Sequence, residues 1–145
     1  MIGRWILGLL LLAMALGQAL DPAGHLDIME TYRLGHDGIS AVVAVALFAA
    51  EVVGGTLLLL RRRPGEAVAL VAAVGWTVVG VQAFARGLEL PNCGCFGVYL
   101  SQPLRWWVLV QDAEFVALAA WVLHRSRAEP DQREARTESS AASRT

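Results

Sequence analysis

The sequence contains no lysine; all 12 of its basic residues are arginine. Charge of either sign is scarce, at 17% of 145 residues, where ordinary soluble domains carry roughly 25%. Apolar residues make up the difference, at 56% with a mean hydropathy of +0.50. The formal net charge is -1, and no basic face interleaved with aromatics is present, so no nucleic-acid partner is expected. There is no glycine-rich phosphate loop and no zinc-protease helix motif, which removes the commonest nucleotide and metal-hydrolase classes. Cysteine is limited to two residues. The length allows one domain. These absences together point to a membrane.

Four apolar runs satisfy that reading: Trp5–Leu20, Ile39–Leu60, Ala67–Ala85 and Leu104–Leu123. Runs this long, with continuous rather than alternating hydrophobicity, predict helices, and about 20 apolar residues cross a bilayer. Backbone polar groups in lipid have no water to bond, so helices are also the only economical spanning form for so few segments. The expected fold is an all-α integral membrane protein, a four-helix bundle over residues 1–124. Residues 125–145 are polar, lack apolar periodicity and predict a disordered cytoplasmic tail.

Nine arginines (Arg4, Arg61, Arg62, Arg63, Arg125, Arg127, Arg133, Arg136 and Arg144) flank one side of these runs, and three (Arg33, Arg86, Arg105) the other. The positive-inside rule then places both termini in the cytoplasm and loops 21–38 and 86–103 outside. An inner-membrane, multi-pass location follows. Trp5, Trp106 and Trp107 fall near span ends, where an aromatic belt lies. Met1–Arg4, the apolar core after it and Gly17-Gln18-Ala19 together also fit a cleavable signal peptide; a retained span is the preferred reading.

Cys93 and Cys95 stand one residue apart in Pro91-Asn92-Cys93-Gly94-Cys95-Phe96-Gly97, within an expected outer loop. A bond between them would close almost no chain, so it has little value as a staple. Such a small ring should be strained, and strained disulfides are the labile, exchanging ones. A redox pair is therefore expected, with Arg86 as a candidate cation to enrich the thiolate. Three other readings stay open: bonds to another chain, inert thiols, or a metal held with His25 and His36. The last spacing matches no zinc signature, and no metal is expected.

Ionisable residues within spans are functional candidates by default. Glu51 lies twelve residues into its run, about 18 Å deep at 1.5 Å per residue. Glu114 lies at about 15 Å on the same rise, a similar depth that allows the two to share a proton or a hydrogen bond. Asp112 is two residues from Glu114 and points to nearly the opposite helix face, so at most one of them faces the centre. These acids are read either as proton handlers or as glue between helices. Gln18 and Gln82 near outer span ends would extend a polar path toward the loop. Gly54-Gly55 and the Gly75–Gly80 spacing would permit close helix approach.

Taken together, Glu51-Val52-Val53-Gly54-Gly55, Arg86-Gly87, Asn92-Cys93-Gly94-Cys95-Phe96-Gly97 and Asp112 make residues 4–124 resemble the methylamine-utilisation MauE family, within the broader DoxX/DoxD-like group. Gln18 and Gln111 depart from it, standing where a basic residue is common. The resemblance implies a helper in periplasmic maturation of methylamine dehydrogenase, whose small subunit is disulfide-rich, acting with a thioredoxin-like partner of the MauD kind. The two cysteines form only one thiol couple, so a quinone or another protein must complete the electron circuit. Phe96, Tyr99, Trp106 and Trp107 are candidates to flank a quinone ring. A non-catalytic scaffold or transport accessory, and a quinone-linked oxidoreductase subunit of DoxX/DoxD type, are the alternatives.

Overall fold

The computed structural model describes residues 2–35 and 38–142. It comprises five helices, α1 (Ile2–Ala19), α2 (Pro22–Thr31), α3 (Ile39–Leu59), α4 (Pro64–Ala85) and α5 (Trp106–Ala142). Among the described residues there is no strand. Four helices are long and apolar enough to cross a membrane: α1, α3, α4 and the Trp106–Ala128 part of α5. The 21 residues of α3 rise about 31 Å, the thickness of a bilayer's hydrocarbon core. The all-helical architecture with four candidate spans, expected from hydropathy, is the one observed.

Several boundaries differ. The last helix, α5, begins at Trp106, two residues after the start of the expected run, and continues past Leu123 to Ala142, through most of the segment expected to be a disordered tail. α1 begins at Ile2, so Arg4 lies inside the helix rather than before it. α4 begins at Pro64, whose fixed φ and missing N–H suit the first helical position. This draws Glu66 out of the expected turn into the first helical turn, where it is fully buried and lies 3.0 Å from Arg4. Loop 21–38 contains α2, a helix the sequence reading missed. Asp21 caps α2, its carboxylate accepting from Gly24 N at 2.9 Å, with Pro22 at its first position, a start signal legible in Asp-Pro.

Around the bundle α1 packs on α3, α3 on α4 and α4 on α5, whereas α1 and α5 meet only sparsely. One core, at the arginine-rich end, joins Leu7, Leu11, Leu58, Ala69, Ala73 and Val122. The other, at the loop end, gathers Met14, Met29, Tyr32, Leu47, Trp76 and Cys93. Association in lipid relies on close packing by small residues, and the α1–α3 crossing shows it. A Cβ on Gly55 would sit 2.8 Å from Leu12 and 3.0 Å from the Gly8 carbonyl. Gly54, as expected, also lies at a helix contact, 3.1 Å from the Ala69 nitrogen by the same measure.

Candidate functional site

The cysteine loop does not stand free at the water boundary. It is sunk between the helices and roofed by α2. Its two ends are tied, Cys93 N to the Gln102 carbonyl at 2.7 Å and Leu104 N to the Leu90 carbonyl at 2.9 Å. Asn92 braces the interior: its Oδ1 accepts from Gly94 N and its Nδ2 donates to the Gly97 carbonyl, both at 2.9 Å. Gly94 and Gly97 adopt φ of 78° and 68°, the left-handed region that favours glycine. Gly94 lies under α2, where a Cβ would come within 2.8 Å of Ile28. Gly17 of α1 and Gly97 touch backbone to backbone, so a side chain on either would collide with the other strand of chain.

Both cysteine carbonyls are held by side chains from other helices. Tyr32, at the end of α2, donates its hydroxyl to the Cys93 carbonyl at 2.6 Å. Gln18, at the end of α1, donates its amide to the Cys95 carbonyl at 3.1 Å. The same amide nitrogen donates to Glu51 Oε2 at 2.7 Å, and the Trp76 indole donates to Glu51 Oε1 at 2.5 Å. Glu51 is fully buried. Each of its oxygens thus has a partner, as a carboxyl removed from solvent requires. A chain of contacts therefore runs from α4 through α3 and α1 to the backbone of Cys95. Gln18, expected to extend a polar path, is the link in it.

The thiols themselves are free, Cys93 buried and Cys95 partly so. The Cys95 thiol donates to the Cys93 sulfur, which lowers Cys93 to about 7 against the opposing effect of burial. The same hydrogen bond, reinforced by burial, raises Cys95. One member is thus poised as a nucleophile at neutral pH, since the thiolate is the reactive form. Burial raises the Tyr32 hydroxyl well above its ordinary value, so it remains a donor. His25, on α2, is buried with neither ring nitrogen bonded. Its ring lies 6.4 Å from that of Trp76, and burial lowers its pKa. Among the described residues no group of three or more metal-ligating side chains assembles; His36 lies outside the described residues.

The other expected site residues divide. Asp112 faces inward, 3.2 Å from where a Cβ on Gly80 would sit, and lines a cavity with both cysteines. Glu114 is exposed on the outer face of α5 and is not paired with Glu51, whose partners are Gln18 and Trp76. Arg86 donates to the Arg33 carbonyl at 2.8 Å and the Tyr32 carbonyl at 3.4 Å. It thus secures the end of α2 and, through Tyr32, bears on Cys93 indirectly. Phe96 lines the cavity, while Tyr99 and Trp106 are 64% and 65% exposed. Trp107, 38% exposed, packs edge-on to Trp106 and under the Arg105 guanidinium.

Sequence reasoning missed Tyr32, Trp76 and the roofing helix. Tyr32 and Trp76 are single residues whose partners lie 61 and 25 positions away, and no local spacing reports such a contact.

No solved structure matches this chain. It is similar to the methylamine utilization protein MauE of Paracoccus denitrificans, with 29% identity over 123 residues that cover 79% of this chain. The match covers 65% of that relative, so the chain spans just under two thirds of its length. The family model of methylamine utilisation protein MauE matches residues 1–125, most of the sequence, and the protein belongs to that family.

Proposed function

We propose that this protein is a membrane-embedded thiol–disulfide exchanger serving methylamine utilisation, with Cys93 and Cys95 as its working couple. One observation carries the proposal: two adjacent free thiols lie in a loop whose backbone is fixed at both cysteine carbonyls by Tyr32 and Gln18. Inert thiols need no such fixing. A couple that opens and closes does, because disulfide formation tolerates only a narrow range of sulfur and Cβ positions.

The chemistry is reversible exchange. The Cys93 thiolate attacks a partner's disulfide, forming a mixed disulfide and releasing one partner thiolate. Cys95 then attacks the Cys93 sulfur, the Cys93–Cys95 bond forms, and the second partner sulfur leaves. The two protons given up by the cysteines end on the two partner thiolates. Run backwards, the same steps oxidise a client dithiol. The partner is an extracytoplasmic thioredoxin-like protein of the MauD kind, and the eventual client a maturing dehydrogenase subunit. Family membership supports the setting, as does the printed name of the Paracoccus relative.

The protein sits in the cytoplasmic membrane with both termini inside and the cysteine loop outside. The nine-to-three division of arginines supports this topology. α1 is retained rather than cleaved, because it supplies Gln18, the Gly17 contact and the Leu7–Leu11 core. Asp112 handles protons beside the couple, while Glu51 acts as structural glue.

The test is replacement of each cysteine by serine in cells that depend on methylamine. Cys93→Ser and Cys95→Ser should each abolish growth on methylamine while the protein still accumulates. Cys95→Ser, which keeps the attacking thiol and loses the resolving one, should also trap a mixed disulfide between Cys93 and the thioredoxin-like partner. Normal growth of both variants would refute the exchange function.

A further inference from the structure

The sparse α1–α5 seam contains a half-open cavity of about 250 Å³. Leu10 and Met14 of α1 face Val108 and Phe115 of α5 across it. Cys93, Cys95 and Phe96 close one end, and Gln102, Gln111 and Asp112 supply its polar groups. Gln102 and Gln111 are bonded to each other at 2.8 Å along the rim. We propose that this groove binds the ring of a lipid-soluble quinone, and that the quinone re-oxidises the Cys93–Cys95 couple. The proposal rests on the exchange function argued above.

Three observations select this occupant. First, the chain has two cysteines and hence one thiol couple, so repeated oxidation of clients requires a second redox partner. Second, α2 roofs the loop, and the open side of the thiols faces a gap between two spanning helices. A molecule dissolved in the bilayer reaches that gap laterally. Third, the size and lining fit a ring. The volume lies below the roughly 300–1,000 Å³ of pockets that enclose whole drug-sized ligands. It suits one substituted ring whose tail stays in lipid. Mostly apolar walls with a few convergent polar groups are the usual make-up of such sites. Asp112 and the glutamine amides are the groups available to the ring oxygens, and Phe96 and Phe115 offer aromatic faces. The aromatic set expected from the sequence is thereby revised: Phe96 stays, Tyr99, Trp106 and Trp107 leave, and Phe115 enters.

The step balances. Two S–H bonds break and one S–S bond forms between Cys93 and Cys95. The two electrons and two protons released convert the quinone's carbonyl oxygens to the hydroxyls of the quinol. Asp112, on the groove wall, is the titratable side chain placed to relay those protons.

The experiment uses the full chain, reduced and freed of reductant, in phosphatidylcholine nanodiscs. Decylubiquinone is added, and quinol absorbance and remaining thiols are followed together. In parallel, the same preparation is challenged with oxidised thioredoxin as a water-soluble disulfide. The expected result is one quinol formed for two thiols lost. Leu10→Trp, which fills the groove from α1, should lower the ratio of quinone reduction to thioredoxin exchange by about tenfold or more, the loss of one ring's binding contacts. Exchange with thioredoxin but no quinol would overturn the groove proposal and leave the exchange function standing. Failure of both reactions would overturn both. An unchanged ratio in Leu10→Trp would overturn the assignment of the groove. Should that variant fail to fold, the wild-type stoichiometry decides alone, and a groove occupied only by phospholipid acyl chains gives no quinol.

Discussion

Replacing Gln18 by leucine removes one side chain and severs two contacts. The amide of Gln18 is the donor to both Glu51 Oε2 and the Cys95 carbonyl. Leucine is of similar size and restores apolar packing, so the change isolates the polar function. A buried acceptor left without its donor costs about 1–3 kcal/mol in a water-soluble protein, which would give about 2–6 kcal/mol for the pair. Within membranes measured hydrogen bonds between helices are weaker, averaging about 0.6 kcal/mol with a maximum near 1.7, because the unfolded segments find other partners. The membrane figure governs here, and the longer 3.1 Å contact is the weaker of the two. The expected loss is therefore about 1–3 kcal/mol, measured by reversible unfolding in mixed micelles. The more specific consequence concerns the loop. Cys95 loses its tether to α1 while Cys93 keeps Tyr32, so maleimide labelling of Cys95 should accelerate several-fold and that of Cys93 should change little. Stability within about 0.5 kcal/mol of wild type, the range of a neutral surface change, together with unchanged labelling of both thiols, would refute the coupling of Glu51 to the cysteine loop.

Other outcomes follow from the same geometry. Alkylation of Cys93 by iodoacetamide should rise with pH through a midpoint at about 7, because only the thiolate reacts; Cys95→Ala removes the donating thiol and should move that midpoint upward. His25 has an imidazole value below the ordinary 6.5, so the unfolded chain binds its proton first. Stability should accordingly be full above pH 6.5 and fall as pH drops below it, a loss that His25→Phe should abolish in an acid titration of unfolding. Arg4→Met strands the buried Glu66 and should cost about 1–3 kcal/mol, less than the 3–5 of a fully enclosed pair because the Arg4 side chain is 25% exposed. Adding Glu66→Leu should recover most of that loss in the same denaturation assay. Gly94→Ala, at φ 78° and against Ile28, should displace α2 and raise the labelling rate of both thiols.

The spans were legible because lipid imposes a coarse rule: about 20 apolar residues in a row leave few alternatives to a helix. The cysteine loop was legible because Cys93 and Cys95 are the only thiols in the sequence and sit between two runs. What hydropathy does not encode is which residues of different helices meet. Glu51, expected deep in its run, is buried, and its partners are Gln18 and Trp76 rather than Glu114. Depth along each helix fixes one coordinate, and rotation about the axis, set by contacts such as Gly8 on Gly55, fixes the other. α2 was missed for a different reason. Its ten residues include two acids and a histidine, so no apolar stripe announces it, and only its Asp21-Pro22 start carries a signal. Glu66 was placed in a turn because it follows Arg61-Arg62-Arg63-Pro64-Gly65. The helix starts at that proline and carries the acid inward to Arg4.

The most direct test is the redox state of Cys93 and Cys95 in living membranes. Cells growing on methylamine are quenched with acid and their thiols capped with a maleimide-linked polymer, each modification retarding the protein on a gel. A couple that turns over should give two populations, one unshifted and one shifted twice, whose proportion moves when the thioredoxin-like partner is deleted. A single fixed population that ignores both growth substrate and partner would contradict it.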